Sequence, residues 1–173
     1  MMLDVRALQK DTVYEVMLQQ MYSLNHMWLR LELYIAEKAP SDYRTDEYYQ
    51  LYEDYGSHEA GRLARVLALP GEGIRDLAAY LRHSHWAVFE NIDIAEMTPT
   101  SFRMRTLDCS AQRAARKWGM QHYDCGTGGL RVRRGFFTKL NPQARVEKIF
   151  APCDNRPEGT PENISCEWLI SLK

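Results

Sequence analysis

The 173-residue sequence contains no apolar run approaching the roughly 18–20 residues that a membrane-spanning helix needs. Residues 1–12 mix polar and apolar side chains and lack the apolar centre of a secretory signal peptide. The sequence also lacks internal repeats, low-complexity tracts and a heptad pattern long enough for an extended coiled coil. These absences favour a cytoplasmic globular protein with no membrane contact.

Cysteine is missing from the first 108 residues, and the four cysteines that follow form no Cys-x-x-Cys pair. Because disulfides are rare in the cytoplasm, this placement favours metal binding or catalysis over disulfide bridging. The sequence also has no Gly-x-Gly-x-x-Gly or Walker motif, so the common nucleotide-binding fingerprints are excluded.

The composition is that of an ordinary globular protein, 45% apolar and 26% charged. The length predicts one domain over 1–173, with 1–85 mostly helical and 86–173 forming a sheet that carries the cysteines. Residues 1–102 hold 9 Lys and Arg against 16 Asp and Glu, whereas residues 103–148 hold 11 against 3. We expect the oppositely charged segments to pack against each other, and we do not expect nucleic acid binding.

Apolar residues at three- and four-residue steps predict a long amphipathic helix over 13–38. Thr12 and Glu15 have the spacing of a capping box at its start. A second helix is expected from residue 41 or 42, interrupted at Gly56, and a third over 74–84. The long first helix offers an association face, so a homodimer is a possible assembly.

The second half predicts two strand pairs separated by two short helices. The first hairpin covers 86–94 and 102–106, and the second joins 146–150 to 166–172. Helices are expected over 110–118 and 126–140. The predicted fold is therefore α+β, with N-terminal helices packed on an antiparallel sheet of about four strands in the order helices-ββ-αα-ββ.

All four cysteines map to one end of this predicted sheet. In an antiparallel pair the end of one strand neighbours the start of the next, and a loop between the helices can reach the same place. Four thiolates that converge tetrahedrally would form a closed structural zinc site, and iron is also compatible with them. The predicted metal ligands are Cys109, Cys125, Cys153 and Cys166.

An alternative prediction is catalytic. His122, Asp124 and Cys125 place a base, an acid and a thiol within four residues. A cysteine nucleophile needs a neighbouring base to become a thiolate, so these residues would suit a small hydrolase.

Two further groups of residues have a functional and a structural interpretation. Tyr22, His26 and Trp28 are candidate contacts for a small apolar ligand if the first helix lines a cavity, and plain core residues otherwise. The basic run that contains Arg131, Arg133 and Arg134 follows two glycines and could hold an anion, but a solvated basic face is the default interpretation.

Several short motifs resemble a family of uncharacterised bacterial and archaeal cytosolic proteins. That family is distantly similar to L-2-amino-thiazoline-4-carboxylic acid hydrolase-like proteins and to 4-vinyl reductase domains. The resemblance covers about 70 C-terminal residues well and the helical front half only in outline. The motifs are Met104–Gly119, Tyr123–Cys125, Asn141-Pro142, Pro157–Gly159 and Cys166–Trp168.

This resemblance implies helices packed on an antiparallel sheet around a ligand cavity, as in effector-binding sensors. It also implies a zinc ion held by three cysteines and a glutamate. Cys125, Cys153 and Cys166 match the cysteine positions of that site. The glutamate position is occupied by Phe150, and Cys109 is the candidate replacement. A hydrolase acting on a heterocyclic or amide-like substrate is the alternative that the resemblance implies.

Overall fold

The computed structural model describes residues 9–40, 42–120 and 123–173. These residues form six helices and one four-stranded antiparallel sheet, which confirms the predicted α+β class. The chain divides into two compact units, residues 1–41 and 42–173. Within the described ranges, every helix is too short or too polar to cross a membrane.

The first unit contains one long helix, α1 (Lys10–Lys38). It begins after Gln9, and no side chain caps its first turn. The predicted capping box is wrong, because Thr12 lies inside the helix rather than at the residue before it. The predicted end at Lys38 is confirmed, and the amide of Ala39 closes the last turn on Ile35 O.

The second unit contains five helices and all four strands of the described chain. Its helices are α2 (Asp46–Leu67), α3 (Ile74–Leu81), α4 (His85–Phe89), α5 (Ser110–Lys117) and α6 (Gly126–Leu140). Its strands are β1 (Asn91–Ala95), β2 (Ser101–Asp108), β3 (Ala144–Phe150) and β4 (Cys166–Leu172).

The sheet has the strand order β1-β2-β4-β3, so the two predicted strand pairs are joined through β2 and β4. Burial alternates along β2, as expected for a strand with one face on the core. Phe102, Met104 and Thr106 are fully buried on the helix-covered face. On the other face, Arg103 forms ion pairs with Glu96 and Glu167.

The helices α2 and α6 cross at backbone distance. A side-chain carbon at Gly56 would overlap the carbonyl oxygen of Val132, and one at Gly135 would overlap the carbonyl oxygen of Glu53. The predicted interruption at Gly56 is wrong, because α2 continues through it and uses the missing side chain to approach α6. The Glu53 carboxylate accepts hydrogen bonds from Arg131 and Arg134, and these arginines hold the pKa of Glu53 below its usual range.

The segment 86–94 is a helical turn followed by a strand, whereas its aromatic and β-branched residues predict a strand throughout. α4 occupies the first part, and β1 begins at Asn91. The Glu59 carboxylate accepts hydrogen bonds from the backbone N and the ring Nδ1 of His85, each at 2.6 Å. This carboxylate caps the short helix from a distant part of the sequence, which local propensity cannot register.

Candidate functional site

The start of β1, the end of β2, the start of β4 and the start of α6 meet at the same end of the sheet. Thr106 on β2 lies opposite Cys166 at the start of β4, and Asn91 at the start of β1 lies opposite Asp108. Cys109 follows β2 directly, and Cys125 is the residue before the first turn of α6. Antiparallel pairing therefore brings residues that are far apart in sequence to one place.

Three thiols and one carboxyl group lie close together at this end of the sheet. Cys109 and Cys166 are buried, and Cys125 is half-buried. The Cys109 thiol donates to Glu90 Oε1 at 3.6 Å, and Thr106 Oγ1 donates to Glu90 Oε2 at 3.3 Å. We refer to Cys109, Cys125, Cys166 and Glu90 as the thiol–carboxylate cluster.

The pKa values of Cys109, Cys125 and Glu90 are all shifted toward the neutral forms. Burial raises the pKa of Cys109, and Glu90, Cys125 and Cys166 raise it further through their charges. Burial also raises the pKa of Cys125 to about 12 and the pKa of Glu90, both against the opposing effect of Arg133. Without a bound cation, these three groups therefore favour their protonated forms, because burial disfavours the charged forms and their negative charges would also repel each other.

A buried arginine lies beside the cluster. Arg133 is 5% exposed, and its guanidinium carbon lies 4.7 Å from the centroid of the Trp86 ring and 4.3 Å from that of Trp168. Its Nη1 donates to Gly129 O at 3.1 Å, while its Nε has no hydrogen-bond partner within the described ranges. Two aromatic faces, rather than carboxylate oxygens, bind this cation. Its positive charge therefore acts on a neighbouring thiol and on Glu90 and opposes the rise of their pKa values.

Trp168 connects the arginine to the thiols. Its indole Nε1 donates to the Cys166 sulfur at 3.2 Å, while its ring contacts the guanidinium of Arg133. A side-chain carbon at Gly129 would lie 3.1 Å from Arg133 Nη1 and 3.3 Å from the Trp168 ring. Glycine at this position therefore leaves the space in which the guanidinium and the indole meet.

A cleft of about 390 Å³ opens next to the cluster. It lies where α3, α4 and β1 adjoin, and Glu90 belongs both to its lining and to the thiol–carboxylate cluster. This volume falls within the range of a few hundred Å³ that is common for ligand sites in proteins. The lining residues are Leu81, Arg82, Ala87, Glu90, Asn91, Ile92, Asp93 and Ile94.

The sequence profile of one protein family matches residues 7–172. The chain belongs to the family of unknown function DUF6125. Neither a curated protein nor a solved structure matches it. The DUF6125 match covers nearly all of both structural units.

In this DUF6125 chain, two of the predicted metal ligands, Cys125 and Cys166, lie close enough to a third, Cys109, to raise its pKa. Cys153 is exposed in the loop after β3, and burial, Asp124 and Asp154 raise its pKa. Across 9–40, 42–120 and 123–173, no three Cys, His, Asp or Glu side chains are spaced to hold a metal ion. Zinc and iron binding therefore stay predictions.

The catalytic alternative gains no support from the described part of the molecule. His122 lies outside the described residues. Asp124 Oδ1 accepts from the Gly126 amide at 3.1 Å, and its Oδ2 lies 3.7 Å from Arg44 Nη1. The pKa of Cys125 is raised to about 12, the opposite of the shift that activates a cysteine nucleophile.

The predicted ligand contacts lie on the first helix. Tyr22, His26 and Trp28 belong to α1 and have exposed side chains. A shallow groove along α1 is lined by other residues, from Glu15 to Leu24. The cleft beside Glu90 belongs to the second unit and involves different residues.

Sequence reasoning missed two residues of this site. Glu90 is predicted as part of a strand, and nothing local to it indicates that it meets Cys109. Arg133 is predicted on a solvated basic face, but it is buried between two tryptophans from α4 and β4. The sequence does carry a weak signal, because Arg133 lies three and four residues before the inward-facing Phe136 and Phe137 and so shares their side of α6.

Proposed function

We propose that this chain is a small-molecule-binding domain in which the thiol–carboxylate cluster takes a zinc ion. The observation that carries the proposal is the convergence of three thiols and one carboxyl group from four separate segments. Cys109 Sγ and Glu90 Oε1 are 3.6 Å apart. Two ligands of a tetrahedral zinc ion, with bonds of roughly 2.3 and 2.1 Å, are separated by about that distance.

The donor chemistry fits zinc better than it fits a hard cation. Thiolates prefer zinc or iron, and a carboxylate completes such a set without changing its geometry. The remaining sulfurs would have to move toward Glu90 and Cys109 when the ion binds. Arg133 would offset part of the negative charge that four ionised ligands bring to the site.

The pattern supports a ligand-binding domain rather than a hydrolase. A bound zinc with four protein ligands leaves no open position for a substrate or a reacting water, so its role would be to stabilise this end of the sheet. Glu90 would then connect the metal to the wall of the cleft. Four cysteines without a disulfide favour the cytoplasm as its location.

Zinc content tests the metal half of the proposal. Protein purified without chelator is expected to contain about one zinc ion per chain, as measured by inductively coupled plasma mass spectrometry. Cys166→Ser and Glu90→Gln should weaken zinc binding by about tenfold or more. Cys153→Ser is the matched control and should keep the full zinc content.

Two results would contradict this assignment. A wild-type chain that stays metal-free after incubation with zinc would remove the metal altogether. If Cys153→Ser lost zinc as fully as Cys166→Ser, Cys153 would be a ligand and Glu90 would not be needed.

Thermal unfolding tests the ligand half. We expect compounds that bind to raise the melting temperature of the zinc-loaded wild type, since binding to the folded state alone stabilises it. Ala87→Trp would fill the cleft and abolish that shift. His83→Trp places the same side chain at an exposed residue outside the lining and should respond like the wild type. Equal responses from both variants would show that the compounds bind elsewhere.

A further inference from the structure

Large apolar side chains on α1 follow a strict heptad pattern. They recur at alternating steps of three and four residues over three heptads, the period of a helix that packs along another helix. We call this set the α1 seam. It consists of Tyr14, Met17, Met21, Leu24, Trp28, Leu31 and Ile35. The seam is shorter than an extended coiled coil but long enough for one pair of helices.

Most of the seam is exposed to solvent. Tyr14, Met17 and Leu24 are 63%, 56% and 62% exposed, and Trp28 and Leu31 are 45% and 49% exposed. Val16, Met27 and Tyr34 beside the seam are exposed as well. A contiguous apolar surface of this size on a soluble chain commonly marks an interaction site.

The exposed area fits a standard interface. Eight large side chains at roughly half exposure present on the order of 100 Å² each, or about 800 Å² in all. One partner in a stable protein interface contributes about the same area. The surface of α1 alone is therefore large enough for a dimer without help from residues 42–173.

A second copy of this chain fits the seam better than an unrelated partner, because the seam complements itself when one helix is reversed. In an antiparallel pair, Tyr14 lies level with Leu31 of the partner subunit, and Trp28 lies level with the partner's Met17. Met21 then faces the partner's Leu24. Each aromatic residue meets a flexible aliphatic side chain, whereas a parallel pair would place Trp28 against the partner's Trp28.

We propose that α1 pairs with α1 of a second copy in antiparallel orientation, so that the protein is a two-fold symmetric dimer. An interface of this kind uses the same patch on both subunits and closes on itself. The opposed helix dipoles also favour this orientation. The dimer is independent of the zinc site and of the cleft.

The mass in solution tests the pairing. Sedimentation equilibrium of the full chain should give about twice the 20.2 kDa of one chain. Leu24→Glu places two carboxylates at the middle of the seam and should weaken the dimer at least about 100-fold. Leu51→Glu alters a residue on α2 that is equally exposed, at 62%, and should remain dimeric. Circular dichroism and the milder Leu24→Gln check that the loss does not come from unfolding.

Three results would overturn the proposal. They are a monomeric wild type at 100 µM, a dimer that survives Leu24→Glu, and a dimer that Leu51→Glu disrupts equally.

The orientation of the two helices is tested by cross-linking in a Cys153→Ser background. Oxidation should link chains carrying Tyr14→Cys to chains carrying Leu31→Cys. Efficient linkage of Tyr14→Cys chains to one another would show a parallel pair and sink the antiparallel arrangement.

Discussion

Replacing Gly56 by alanine is expected to lower the free energy of unfolding by about 3 kcal/mol or more. The new methyl group would overlap the carbonyl oxygen of Val132 and lie 2.9 Å from the amide nitrogen of Phe136. Both atoms belong to the backbone of α6, so no side chain can rotate away. The helices α2 and α6 would have to separate, and the core between them would lose its packing.

Urea denaturation of Gly56→Ala and Gly61→Ala measures this effect against a matched control on the same helix. At Gly61 the nearest atom is the flexible Lys139 Cε at 3.5 Å, so alanine there should add about 0.5–1 kcal/mol through its higher helix propensity. The two substitutions are therefore expected to act in opposite directions. Similar stabilities for the two variants would show that α2 and α6 do not approach at backbone distance.

The second large effect is expected from Trp168→Ala, which should cost about 3–5 kcal/mol. Trp168 is fully buried on the core face of β4 and covers one face of the Arg133 guanidinium. Removal of the indole leaves a cavity in the core, and the buried Arg133 guanidinium then lies against that cavity. We expect the loss to come at the upper end of the range, because the cavity and the weakened cation–π contact add together.

Trp168→Phe separates these contributions. Phenylalanine keeps an aromatic ring near Arg133 but cannot donate to the Cys166 sulfur, so we expect a loss of about 1–2 kcal/mol. Chemical denaturation gives the stabilities, and the reaction rate of Cys166 with a thiol reagent reports on its exposure. A loss below 1 kcal/mol for Trp168→Ala would contradict the full burial of this indole in the core.

The sequence predicts the fold well where the signals are local. The bounds of α6 and β4 agree with the prediction. Gly126 marks the start of α6 and Asn141-Pro142 its end, and the strand-forming residues from Cys166 to Leu172 mark β4. It fails where a tertiary contact overrides local preference. Gly56 has the low helix propensity of a breaker but lies within α2, since α6 needs the space, and α4 forms where a strand is predicted, because Glu59 caps it.

The candidate site could be predicted in part. Antiparallel pairing is enough to place Cys109 and Cys166 at one end of the sheet, since Cys109 follows β2 and Cys166 begins β4. Glu90 and Arg133 are not predictable in the same way, because their surroundings come from several distant segments. Burial of Arg133 depends on Trp86 and Trp168, which lie in distant parts of the sequence, and no periodicity indicates such a contact.

The strand order β1-β2-β4-β3 also has a consequence during synthesis. β2 and β3 leave the ribosome before β4, the strand that hydrogen-bonds to both of them. Each therefore has an open edge on the nascent chain that can pair wrongly with another chain. A chaperone that shields these edges should improve the yield of newly made protein more than the yield of refolding at high dilution.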